Sequence, residues 1–115
     1  MSSNTLVAAS TKPFILALLL SGESYGYQIL KRVRLVSDGT LKWSSAMLYP
    51  VLHRLEKDGL IRSEWKPSEE GRMRKYYSLT ENGRKEFFAE KEQWFSVHDA
   101  LSKFWALVET SARGK

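Results

Sequence analysis

Apolar positions recur along this chain with three different spacings, and each spacing predicts a different element. Gly26, Ile29, Leu30, Val33 and Val36 fall at i, i+3, i+4, i+7 and i+10, which is one face of a helix. Gln28, Lys31, Arg32 and Arg34 take its outer side; Ser24 stands at its N-cap, and Asp38-Gly39 breaks it. Leu48, Val51, Leu52 and Leu55 form the stripe of the next helix, with Ser44 or Ser45 as cap and Lys57-Asp58-Gly59 as its close. Pro50 lies beyond the first turn of that helix, where its missing N–H leaves a carbonyl unpaired and a slight bend is expected. Upstream, Thr11 followed by Lys12-Pro13 reads as an N-cap with proline in the first turn of a helix Pro13–Leu20, ended by Ser21-Gly22. Residues 4–10 carry no decisive signal.

From Leu60 the spacing changes. Leu60–Trp65 and Arg74–Leu79 read as two strands around the turn chemistry of Pro67-Ser68-Glu69-Glu70-Gly71. Tyr76 and Tyr77 alternate across the returning strand, so one packs on the domain and the other faces outward. Thr80 then caps a long helix with Glu81 in its first turn. In it Phe87, Glu90, Trp94, Val97, Leu101, Phe104 and Val108 follow alternating steps of three and four. That is a heptad seam with Glu90 as its one polar member, widened by Phe88, Phe95 and Trp105. A chain of 115 residues buries only a modest core, and so aromatic a helix calls for a second copy to cover it.

Three short helices, a two-stranded hairpin and a long helix describe a mainly α fold with a small β-hairpin. The order predicts a winged helix-turn-helix unit over residues 1–80 and a C-terminal dimerisation helix over 81–115. Charge agrees with that division. Residues 1–80 hold 12 Lys and Arg against 7 Asp and Glu, whereas residues 81–115 hold 6 against 6. A basic body with a neutral tail points to a polyanion for the body and another task for the tail. Gly71 permits the hairpin turn, and Arg72, Arg74 and Lys75 put cations at its tip and returning strand, suited to phosphate oxygens.

The chain has no cysteine, which excludes disulfides and zinc-thiolate centres. His53 and His98 fall on different elements, and neither metal-ligand spacing nor a phosphate-cradling glycine loop occurs, so no enzyme, metal or cofactor is expected. The longest apolar run, Phe14 to Leu20, is too short to span a bilayer and lacks signal-peptide flanks. A cytoplasmic protein without a membrane partner is expected.

Three segments resemble the PadR family of bacterial transcriptional regulators. They are Tyr25-Gly26-Tyr27, Leu48-Tyr49-Pro50-x-Leu52-x-Arg54-Leu55-Glu56-x-x-Gly59-Leu60-Ile61, and Gly71-Arg72-x-Arg74-Lys75-Tyr76-Tyr77-x-Leu79-Thr80-x-x-Gly83. The likeness covers about residues 12–108, and the length resembles the small branch with a single C-terminal helix. It implies a homodimeric repressor of double-stranded operator DNA, commonly relieved by a small molecule. Carried onto this chain, Ser44, Ser45, Met47, Tyr49, His53 and Arg54 would meet the groove, and Arg72, Arg74, Lys75 and Tyr76 would be wing contacts. Phe87, Trp94, Val97, Leu101, Phe104 and Val108 would form the dimer interface. Trp94 matches the aromatic that lines a central pore in drug-sensing members. With Glu90, Val97 and His98 it would receive a planar hydrophobic or cationic effector. Two other readings stand beside this one: a winged helix that binds protein through its basic face, and a DNA-binding regulator whose long-helix aromatics are plain dimer core.

Overall fold

The computed structural model describes the backbone of residues 2–114 and the side chains of residues 8–114. Helix α1 (Ser2–Leu20) leads into a two-residue strand β1 (Ser24–Tyr25), then α2 (Gly26–Val36) and α3 (Ser45–Lys57). Strands β2 (Ile61–Pro67) and β3 (Met73–Leu79) form the hairpin, and α4 (Glu81–Arg113) closes the chain. The fold is mainly helical with a small antiparallel sheet in the order β1-β3-β2.

Two expectations are corrected. Helix α1 begins well before Thr11 and runs through Pro13, which is interior to it. Both interior prolines, Pro13 and Pro50, free the carbonyl four residues upstream. Those carbonyls belong to Ala9 and Ala46, both exposed, where water can hydrate them. Ser24 is not the N-cap of α2. Tyr25 takes that position and offers no side-chain bond. Ser24 instead sits in β1 opposite Tyr77, buried, and its hydroxyl donates to Gln28 Oε1 at 2.9 Å. Two residues of strand are too few to display a period of two, so the third strand leaves no trace in the hydrophobic pattern.

The other caps follow the sequence. Ser44 Oγ accepts from Met47 N at 3.2 Å, and Thr80 Oγ1 accepts from Gly83 N at 3.0 Å. Helix α3 ends on Gly59 at φ +78°, with Gly59 N donating to Glu56 O and Leu60 N to Leu55 O, which aims the chain directly into β2.

The core joins the helical stripes to the base of the sheet. Ile15, Leu16 and Leu19 of α1 meet Ile29 and Val33 of α2, Leu48, Leu52 and Leu55 of α3, and Ile61 and Tyr77 of the hairpin. Trp43, in the loop before α3, completes it and meets Phe14 edge-on at 5.8 Å. Val36, placed on the buried face by its spacing, is exposed because α2 ends there.

Helix α4 is 33 residues long, about 50 Å. Only its first turns rest on the body. Gly83 is buried and Glu86, Phe87 and Glu90 are half-buried, whereas from Lys91 to Gly114 every residue but Ser102 is exposed.

Candidate nucleic-acid interface

Helix α3 buries Leu48, Leu52 and Leu55 and turns Ser45, Ala46, Tyr49, Pro50, His53, Arg54 and Lys57 outward. Ser44 and Ser45 stand exposed at its N-terminal end, with the Ser44 hydroxyl occupied in capping. Met47 departs from that outer face: it is half-buried and packs against the core. Tyr49 leans back over α2, which explains the glycine in Tyr25-Gly26-Tyr27. A Cβ at position 26 would lie 2.1 Å from Tyr49 Oη and 2.6 Å from its Cζ.

The hairpin is held by seven cross-strand pairs, from Ile61 opposite Leu79 to Pro67 opposite Met73. Gly71, at φ +86°, closes its turn, with Gly71 N donating to Ser68 O at 2.9 Å and Ser68 N to Arg72 O at 2.7 Å. The two faces of the sheet differ in kind. Toward α3 lie Tyr77, Lys75 and Met73 of β3 with Ser63 and Trp65 of β2. Burial raises the pKa of the Tyr77 hydroxyl, with neighbouring Tyr49 and Glu56 adding to the effect. The Ser63 hydroxyl donates to Glu56 Oε2 at 2.7 Å and fixes the hairpin's base on α3.

On the other face the Tyr76 ring meets Tyr25 edge-on at 5.3 Å, and the Arg74 guanidinium lies 4.4 Å from the Tyr25 centroid. Arg74 Nη2 is also 3.8 Å from Glu70 Oε1. Lys66 bonds Glu23, which raises the lysine's pKa, and sits 5.0 Å from the Tyr76 centroid. Thus Lys75 and Tyr76, adjacent in sequence, serve opposite faces. Arg72 is exposed at the turn.

A second site lies where α1 crosses α4. Lys12 Nζ donates to Glu86 Oε2 at 2.7 Å and lies 3.4 Å from Glu90 Oε2. The bond to Glu86 is the main reason its pKa is raised, partly offset by desolvation. Glu90 Oε1 is buried and has no hydrogen-bond partner among the described residues. Beside this cluster Pro13, Phe87, Glu90, Lys91, Trp94, Phe95 and His98 line an open cavity of about 370 Å³. His98 Nδ1 is 3.9 Å from Asp99 Oδ1. Val97 lies outside that cavity, and with Gln93 and Trp94 borders a shallower one. Phe87 packs partly on the core and meets Phe88 edge-on at 4.9 Å. Trp94, Val97, Leu101, Phe104 and Val108 are exposed on the single chain.

The sequence assigns the cations of the hairpin and Tyr76 to the wing but gives Trp65 no role and does not bring Tyr25 and Tyr27 to the hairpin. Tyr25 and Tyr27, beside Gly26, and Trp65, at the end of its strand, all line the groove between hairpin and α3. Lys12 was equally invisible, because its partner Glu86 is 74 residues away in sequence. No three His, Asp or Glu side chains gather as a metal site among the described residues, and no helix there is long and apolar enough to cross a membrane.

Three helices with an outward-facing third, a hairpin rising beside it and a long trailing helix define a winged helix-turn-helix protein. The transcriptional regulator PadR-like family matches residues 15–89. The chain is similar to a transcriptional regulator from Clostridium thermocellum, at 33% identity over 87% of this chain and 94% of that one, with a TM-score of 0.78. It is similar to a PadR-like transcriptional regulator from Bacillus cereus, at 26% identity, TM-score 0.79, over 87% and 95% of the two chains. A PadR family transcription regulator from Clostridium difficile matches at 29% identity, TM-score 0.74, over 83% and 97%. The chain belongs to the PadR-like family of transcriptional regulators. It is a DNA-binding transcriptional regulator and not an enzyme.

Proposed function

We propose that the protein is a homodimeric repressor whose grip on operator DNA is relieved by a planar hydrophobic or cationic small molecule. The supporting observation is the α4 surface. One helix carries an open cavity of about 370 Å³ beside Trp94 and, further along, an uncovered seam of Val97, Leu101, Phe104 and Val108. Burying one such side chain is worth about 1.5–3 kcal/mol, so pairing with a symmetry mate is strongly favoured. In this reading residues 1–80 bind DNA and residues 81–115 dimerise, with Phe87, Trp94, Val97, Leu101, Phe104 and Val108 at the interface. Ser44, Ser45, Tyr49, His53 and Arg54 serve the major groove, with Met47 anchoring α3 on the core behind them, while Arg72, Arg74, Lys75 and Tyr76 serve the backbone. Indole faces attract flat and cationic molecules, and the unpartnered oxygen of Glu90 favours a cation or donor. Glu90, Trp94 and His98, which line the cavity, are the effector residues, and Val97 stays with the seam.

The test uses a planar cationic dye followed by its own anisotropy, together with operator duplex. The dye should bind and release the duplex, and Trp94→Ala should lose the dye while remaining a dimer that binds DNA. Equal dye binding without the indole removes the effector site and returns Trp94 to the dimer core. Duplex affinity without steep salt dependence favours a protein-binding module instead.

A further inference from the structure

The two faces of the hairpin treat their charges differently. On the face away from α3, Lys66 pairs with Glu23 and Arg74 with Glu70. On the face toward α3, β2 contributes Ile61, Ser63, Trp65 and Pro67, and β3 contributes Met73, Lys75, Tyr77 and Leu79; none of these is a carboxylate, and Glu56 of α3 meets that face at its base through Ser63. Lys75 has no ion pair among the described residues. Trp65 stands directly across from it, and Met73 is the diagonal neighbour. Both are open, Trp65 at 63% and Met73 at 59% exposure. With Tyr49 of α3 they border a groove of about 390 Å³.

Lys75 Nζ meets only the Tyr77 ring, 5.8 Å from its centroid, so an exposed indole beside a cation without a carboxylate partner suits a surface that is both apolar and anionic. The edge of a duplex supplies that combination, because deoxyribose rings alternate with phosphates along each groove wall. A hairpin beside a helix seated in the major groove reaches the neighbouring minor groove, where apolar wedges sense width and deformability. We infer that Trp65, backed by Met73, is a shape-reading DNA contact that packs on minor-groove sugars beside the base pairs met by α3. Lys75 holds the adjoining phosphate. The inference rests on DNA binding through α3 and the wing, and it adds a neutral, specificity-bearing contact to a wing otherwise described by its cations.

The experiment takes the duplex that wild-type protein selects from a random pool. Affinity is then measured across salt concentrations for wild type, Trp65→Ala and Trp65→Phe. A neutral contact releases no counterions, so Trp65→Ala should bind about ten-fold more weakly with an unchanged salt slope. Base preference should flatten only at positions flanking those met by α3, and Trp65→Phe should recover most of the loss. If Trp65→Ala keeps wild-type affinity and preference, the inference is wrong. A weaker complex whose salt slope is also shallower by about one marks the indole as a mere support for Lys75, and equally overturns it. Wild-type protein that selects no duplex sinks this inference together with the DNA-binding reading, an outcome distinct from the other two.

Discussion

Gly83 lies in the first turn of α4, where helix propensity and packing predict opposite signs for Gly83→Ala. Propensity favours alanine over glycine inside a helix by about 1 kcal/mol. Packing forbids it: a Cβ would lie 2.0 Å from the carbonyl oxygen of Leu60, 3.1 Å from its carbon and 2.9 Å from Leu79 Cδ2. The first two atoms are backbone and cannot rotate away, so the start of α4 must retreat by roughly 1 Å to reach ordinary contact. That retreat strains the bonds that seat the helix: Thr80 N to Leu60 O at 3.1 Å, Thr80 Oγ1 to Gly59 O at 2.6 Å, and Gly83 N to Thr80 Oγ1 at 3.0 Å. A lost cap costs about 1 kcal/mol and a lost hydrogen bond about 1 kcal/mol, with loosened packing of Leu79 and Phe87 adding about 1–2 kcal/mol. Packing therefore wins, and a net destabilisation of about 2–3 kcal/mol is expected. At roughly 4 °C per kcal/mol, Tm should fall by about 10 °C. Thermal unfolding should be followed at one fixed protomer concentration, because the proposed dimerisation would make Tm concentration-dependent. Asn82→Ala, an exposed neighbour in the same turn, serves as the control and should change Tm little. A Gly83→Ala protein as stable as wild type, or more so, would refute the seating of α4 on Leu60.

Leu101→Glu combined with Phe104→Glu should give monomeric or unfolded protein by sedimentation, since two seam positions would be buried as uncompensated charges; a well-folded dimer would refute the seam. Arg74→Ala with Lys75→Ala should weaken all duplexes similarly and flatten the salt slope, by about 0.9 for each phosphate no longer neutralised. A changed base preference with an intact slope would contradict that division of labour. The pKa of Lys12 is raised above its ordinary 10.5, so its ion pairs are fully present below that value and fade as pH rises through the folded-state pKa. Tyr77, buried in its neutral form, also loses stability on the alkaline side, above its ordinary 10.0. The stability difference between wild type and Lys12→Met, measured by urea unfolding, should therefore shrink as pH rises past 10.5, whereas the Tyr77 contribution remains in both. A difference that grows instead would mean Lys12 does not stabilise through Glu86 and Glu90.

Local chemistry was legible in the chain by itself. The stripes of α2 and α3, the Ser44 and Thr80 caps, the glycine-closed ends and the outward heptad of α4 all depend on residues within a few positions of one another. The order of those elements was enough to give a winged helix with a trailing helix, and the clustered motifs were enough to give the family. What tertiary structure decided was every feature whose partner is distant. Ser24 is a strand residue because the edge of β3 pairs it with Tyr77, 53 positions away in the chain. Gly83 is required by the Leu60 carbonyl, and Gly26 leaves room for the tip of the Tyr49 ring, neither of which a glycine advertises in sequence. Glu90, the misfit of its heptad, found Lys12 across the α1–α4 crossing. The alternation of β3 put Lys75 and Tyr76 on opposite faces, but only the packing of β1 and α3 determined what each face meets. Periodicity records which side of an element is apolar; it carries no information about the element on the other side of the contact.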